Sequence, residues 1–232
     1  MTDPGRAAVG FDRLTSAEAN RALYIDFEGR KDEPPVLLGV QRRGRGARPF
    51  VHQVIVDAVF SPLSGPSQPL VDAVANVVRR AERRDRRIVA WSEHELRVVR
   101  SLTDVDAELI ARFEARYVNA RRVAERWRNK LYGGDKPETG ALVDYLALID
   151  YEVPPEAAGG RVGETIGSLR PTLERGSPPT ERQRDRWQRL LEHNRFDCAG
   201  MRRVCLRAAT ELGGAALRLA ATRLEPVEDA RS

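Results

Sequence analysis

The order of the apolar segments predicts an α/β fold with a mixed five-stranded sheet, antiparallel first and parallel afterwards, flanked by helices. Three observations predict it. Three short β-type runs follow one another between residues 21 and 56. A helical stripe then leads into a fourth such run at 87–92. Beyond that strand nearly every segment has helical spacing.

Residues 1–19 are mixed and polar, which predicts a loose lead-in to a domain over 20–212. Arg21 to Gly29 reads as a strand closed by a glycine, Pro35 to Gln41 as a second and Phe50 to Val56 as a third. The turn Arg42 to Arg48 joins the last two, so the three form an antiparallel meander. Residues 61–69 are rich in Pro, Ser and Gly and predict a loop. Apolar positions 70, 71, 74, 77 and 78 mark a helix to about Arg84. Arg87 to Ser92 follows this crossover and is expected parallel to its neighbour. Residues 93–102 and 104–131 read as helices, although Arg116 to Asn119 has the composition of a short edge strand, the fifth. A glycine turn at 132–137, a helix from Thr139 to Ile149 and a loop with Pro154, Pro155, Gly159 and Gly160 come next. Thr165 to Glu174 is a short helical piece. After the turn 176–179, Thr180 and Gln183 have the spacing of a capping box that opens a long last helix, expected to end near Leu212. Residues 213–232 are read as the helix end and a polar tail.

The chain has 232 residues, 41% of them hydrophobic, enough for one large core. No apolar run approaches the ~20 residues of a membrane span. Met1 to Arg6 lacks a charged-then-apolar leader pattern, so a cytoplasmic location is expected and a membrane partner is not. Cys198 and Cys205 stand about 10 Å apart along a helix, too far for a disulfide, and read as buried thiols in a reducing compartment. The net charge is +5, and all but Lys31, Lys130 and Lys136 of the 39 Lys and Arg residues are arginine. Guanidinium forks suit phosphate, which favours a nucleic-acid partner. A codon bias toward arginine would give the same ratio.

The acids carry the chemistry. Asp26 and Glu28 are two apart in an apolar strand and share one face, while Ile25 and Phe27 point to the other. Two sheltered carboxylates are costly unless a cation neutralises them, and Mg²⁺ or Mn²⁺ prefers such oxygens. The competing account places both acids at a solvent edge. His193 and Asp197 are four apart on one helical face, flanked by Leu190, Met201 and Val204, so Asp197 turns inward. A salt bridge to arginine is the alternative there. Glu93 or Glu95 follows the fourth strand, at the end where ligands collect in α/β sheets. Either could instead be an ordinary acid in a first helical turn. Arg42, Arg43, Arg45 and Arg48 on the hairpin tip could track phosphates, or simply be a solvated loop. Trp91 could stack on a base, with core packing as its alternative. Arg79, Arg80, Arg83, Arg84, Arg86 and Arg87 end a helix, where cations suit the dipole.

In combination these motifs resemble the DEDD exonuclease superfamily, and most closely the ribonuclease-H-like domains found fused to RecB-type nucleases. Leu23-Tyr24-Ile25-Asp26-Phe27-Glu28-Gly29 is similar to the first motif. Trp91-Ser92-Glu93-His94-Glu95 is similar to the second, and its register favours Glu95. His193-Asn194-Arg195-Phe196-Asp197-Cys198 is similar to the third, written Tyr-Asn-x-x-Asp in the family. Gly167-Ser168-Leu169-Arg170 is similar to a Ser-Leu-Lys stretch between them. Two departures stand out: a glutamate where most members have the second aspartate, and a histidine at the tyrosine's spacing. The resemblance, over about residues 21–209, implies a ribonuclease-H-like fold. It also implies two Mg²⁺ or Mn²⁺ ions on Asp26, Glu28, Glu95 and Asp197, and His193 as general base or water-orienting group. The implied activity is 3′–5′ exonucleolytic hydrolysis of single-stranded DNA or RNA, with a nuclease or helicase partner. The alternatives are a binding module that has lost the chemistry and an interaction subunit of a nuclease complex.

Overall fold

The computed structural model describes residues 13–224 apart from 44–48, 104–105, 132, 134–138 and 156–160. Strands β1 (Leu23–Glu28), β2 (Leu37–Arg43), β3 (Pro49–Ile55), β4 (Ile88–Ala90) and β5 (Tyr117–Asn119) form one sheet in the order β3-β2-β1-β4-β5. The β1–β2 and β2–β3 pairs are antiparallel, and β1–β4 and β4–β5 are parallel. This is the mixed sheet the segment order predicts. The edge-strand reading of residues 116–119 is the one realised, and it divides the expected helix 104–131.

The helices are α1 (Ser16–Arg21), α2 (Ser61–Ser64), α3 (Leu70–Glu82), α4 (His94–Arg100), α5 (Ala107–Glu114), α6 (Ala120–Leu131), α7 (Leu142–Ala147), α8 (Val162–Glu174) and α9 (Glu181–Leu224). Several differ from expectation. The end of the supposed lead-in is helical because Thr15 and Glu18 close a capping box: the Glu18 N–H donates to Thr15 Oγ1 at 3.1 Å and the Thr15 N–H to Glu18 Oε2 at 3.0 Å. The loop expected at 61–69 is preceded by a 3-10 turn, Ala58–Phe60, and its first residues form α2. Helix α7 is shorter than 139–149, and α9 continues past Leu212 to Leu224. The box that opens α9 is as read: the Gln183 N–H donates to Thr180 Oγ1 at 3.3 Å and the Thr180 N–H to Gln183 Oε1 at 2.9 Å.

Alternation along β1 divides the core. Leu23, Ile25 and Phe27 pack on α3, α4 and α5 through Val74, Val77, Val78, Val99 and Phe113. On the other face Tyr24 joins a cluster built from α1, α6, α7 and the later part of α9, including Trp127, Leu146, Met201 and Val204. A third cluster unites Leu37, Ile55 and Phe60 with α8 and the start of α9, through Leu169, Trp187, Leu190 and Leu191. Helix α9 therefore crosses the sheet from the third cluster to the second. The segment between Leu191 and Met201 lies over the strands without belonging wholly to either cluster. Cys198 and Cys205 are buried and free. Among the described residues no helix is long and apolar enough to cross a membrane.

Candidate active site

The crossing of α9 over β1 brings distant acids together. Asp26 and Glu28 project from the face of β1 that α9 covers, the face opposite Ile25 and Phe27, as their two-residue spacing requires. Register places Asp26 opposite Gly39 of β2, and Gly39 opposite Gln53 of β3. Gly39 has no side chain to hold α9 away. A Cβ there would lie 2.2 Å from Asn194 Oδ1, so this strand position must be glycine for the helix to reach the sheet.

Asn194 fills that space and is fully buried. Its amide Nδ2 donates to the Asp26 carboxylate at 2.8 Å and to the Asp26 carbonyl at 3.1 Å. Its Oδ1 accepts from Gln53 Nε2 at 3.1 Å, and the same Nε2 donates to the Leu191 carbonyl at 2.7 Å. A relay from Gln53 through Asn194 thus holds the Asp26 carboxylate. Sequence reasoning gave Asn194 no role and did not single out Gln53 or Gly39. The available signals were a glycine inside an apolar strand and an amide at the centre of an inward helical face.

One turn along α9, His193 and Asp197 flank this amide. His193 Nε2 lies 3.5 Å from Asp197 Oδ2 and 4.0 Å from Glu28 Oε1, linking the helix acid to the strand acid. The fourth acid comes from the start of α4. The hydroxyl of Ser92 accepts from the His94 N–H at 3.1 Å, and the Tyr117 hydroxyl donates to the Ser92 carbonyl, so β5 fixes the chain that leaves β4. This places Glu95 inward, 4% exposed. Glu93 points to solvent and pairs with Arg122 at 2.6 Å. Between the two acids the sequence left open, Glu95 is therefore the one beside Asp26 and Glu28.

The electrostatics reflect crowding. Burial first, then the charges of Asp197 and Glu95, push Asp26 well above the carboxylate range, against the bonds from Glu28 and Asn194. Glu28 is raised by burial and then by Asp26, with His193 opposing. Burial lifts Glu95 to about 7, with backbone N–H groups of Glu95 and Ser92 pulling the other way. Asp197 is raised by burial and lowered by His193. The thiol of Cys198 backs the group, raised by burial and then by Asp26, Asp197 and Glu28. Glu28 Oε1 and Glu95 Oε2 are buried without a hydrogen-bond partner.

Those two orphaned oxygens and the all-carboxylate donor set fit a hard divalent cation. Among the described residues no three His, Cys, Asp or Glu side chains are gathered tightly enough to close on an ion as they stand. The fit is one of chemistry and unmet bonding, not of a ready-made cage.

The remaining sequence candidates fall elsewhere. Trp91 is half-buried and packs edge-on against Tyr145, ring centroids 5.4 Å apart, at the margin of the cluster around Tyr24. Arg42 and Arg43 are the last residues of β2 and not a hairpin tip. Arg42 lies on the α3 side of the sheet, away from the acids, because it shares strand parity with Leu38 and Val40. Arg45 and Arg48 lie outside the described residues. Ser168 Oγ donates to the Thr165 carbonyl at 2.9 Å, the Ser168 carbonyl accepts from Gln183 at 3.0 Å, and Arg170 pairs with Asp57 at 2.8 Å. These bonds tie α8 to its neighbours, and none reaches the four acids. No protein-family model, curated protein or solved structure matches the chain.

Proposed function

We propose that the protein is a metal-dependent phosphodiester hydrolase, a 3′–5′ exonuclease acting on single-stranded DNA or RNA. The observation that carries this reading is the meeting of Asp26, Glu28, Glu95 and Asp197 with buried oxygens left unbonded. Structural acids in a core would be paired with arginine or hydrogen-bonded. The positions of the acids, on β1, after β4 and on the last long helix, are those the DEDD resemblance asks for, and that resemblance alone supplies the 3′–5′ polarity.

Asp26, Glu28, Glu95 and Asp197 would hold two Mg²⁺ or Mn²⁺ ions. Such ions supply Lewis acidity at the phosphoryl oxygens and a lowered pKa for water. The chain supplies the rest. Asn194 and Gln53 hold the Asp26 carboxylate in place among the other acids. His193, half-buried and 3.5 Å from Asp197, would take the proton of the attacking water, and Asp197 would steady the imidazolium that results. Attack at the terminal phosphodiester releases a nucleoside monophosphate. The free buried thiols suit a reducing cytoplasm.

The test uses 5′- and 3′-labelled single strands of DNA and RNA with Mg²⁺, Mn²⁺ or chelator. The 5′-labelled strand should shorten stepwise with metal and stay intact in chelator. Asp26→Asn should reduce the rate to background, and His193→Ala should lower it about 10²–10⁴-fold. A wild-type protein that binds strands under all conditions and cuts none would establish the binding module that has lost its chemistry. One that does neither would leave the interaction subunit.

A further inference from the structure

The opposite face of the sheet carries a second cluster of reversed charge. On β2 and β3 the residues turned toward α3 are Leu38, Val40 and Arg42, with Val54, His52 and Phe50 opposite them in register. Leu38, Val40 and Val54 pack into the core with α3. Beyond them the face opens. The Arg42 guanidinium lies 4.7 Å from the Phe50 ring centroid, and Phe50 is 44% exposed. Arg80 in the last turn of α3 and Arg86 in the turn after it lie close enough to Arg42 to feel its charge, with Arg83 and Arg84 between them in the chain.

Arg42 is the common neighbour of Arg80, Arg86 and His52. The Arg80 guanidinium is depressed by burial and then by Arg42 and Arg83. Arg86 is depressed by burial, then by Arg84, Arg21 and Arg42. His52 is depressed by burial and then by Arg42 and Arg80. Among the described residues no acid pairs with Arg42, Arg80, Arg83, Arg84 or Arg86. The nearby Glu18, Glu82 and Asp85 are taken by Arg87, Arg112 and Arg116. Arg42 Nε is buried without a hydrogen-bond partner. The dipole of α3 accounts for a cation in its last turn, but not for Arg42 arriving from the sheet into like charge.

We propose that Arg42, Phe50, Arg80, Arg83, Arg84 and Arg86 form a binding site for single-stranded nucleic acid on the face of the sheet opposite the carboxylates. The guanidiniums take backbone phosphates, and the exposed phenyl ring offers a stacking surface to an unpaired base. A duplex hides its base faces, and an acidic peptide gives the ring nothing to stack on. The site anchors a strand at a distance from its reacting end. It draws its ligand class from the exonuclease reading and needs none of the four acids.

Fluorescence anisotropy of a labelled 20-nucleotide single strand in chelator isolates this site from cleavage. Arg83→Glu with Arg84→Glu changes only exposed side chains, and Phe50→Ser removes the ring. The double charge reversal should weaken binding at least about tenfold and reduce the salt slope by about 0.7 for each phosphate no longer neutralised. Phe50→Ser should weaken it several-fold, and Asp26→Asn should bind as the wild-type protein does. Wild-type affinity in both patch variants would overturn the proposal. So would equal competition by polyglutamate, or tighter binding of the same sequence as duplex. Patch-dependent binding without any cleavage would sink the exonuclease reading and leave this one standing. Cleavage with binding indifferent to the patch would do the reverse.

Discussion

Replacing Asn194 by leucine keeps the side-chain volume and removes the amide. The Asp26 carbonyl and carboxylate then lose a donor, and Gln53 Nε2 keeps only the Leu191 carbonyl. Orphaned polar groups of this kind cost about 1–3 kcal/mol. Urea denaturation should show that loss, and the thermal shift produced by Mn²⁺ should shrink because Asp26 is no longer held. A variant as stable as the wild type with an unchanged Mn²⁺ response would show that the relay carries no weight. The acids themselves were readable because their relations are local: two residues apart on a strand, four apart on a helix. Asn194 was legible as a motif position but its role was not, because its partner lies 168 residues away in the chain. The choice between Glu93 and Glu95 depended on where the first turn of α4 begins, which spacing alone leaves open by about two residues.

At the scale of elements, α9 does most of the assembly. Its first part is anchored by Trp187, which is 1% exposed, stacks on Phe60 with centroids 5.4 Å apart and donates its Nε1–H to Ser64 Oγ at 2.7 Å. Trp187→Ala should cost about 3–5 kcal/mol, the usual range for deleting a buried tryptophan. The loss belongs to one end of the helix. Hydrogen exchange should quicken through residues 185–197, while residues 201–209, packed in a separate cluster, keep their protection. Uniform loosening along α9 would contradict the two-cluster description. Elements with long periodic stripes, such as α3, were legible. The six-residue α1 was too short to show a stripe, and the three-residue β5, buried throughout, shows no alternation to separate it from the helices beside it.

For the whole molecule, the crowded acids make stability depend on pH in an unusual direction. Asp26, Glu28 and Glu95 hold their protons more tightly folded than unfolded, Glu95 up to about 7. Unfolded Asp and Glu release theirs near pH 4. Between about pH 4 and 7 the native state therefore binds more protons, and stability falls as pH rises. In chelator the Tm should climb as pH is lowered from 8 toward 5, where ordinary carboxylate ion pairs would be flat or declining. A cation that takes over the charge of these oxygens makes the ionised form the favoured one. With Mg²⁺ or Mn²⁺ present the slope should flatten or reverse, and the stabilisation by metal should be largest near pH 8. Asp26→Asn with Glu28→Gln should make the slope in chelator shallower, leaving the part that buried Glu95 contributes, and should weaken its reversal by metal. A metal-free protein whose Tm rises steadily from pH 5 to 8 would mean that these acids are solvated and ionised in the folded state, and the case for a buried carboxylate centre would go with it.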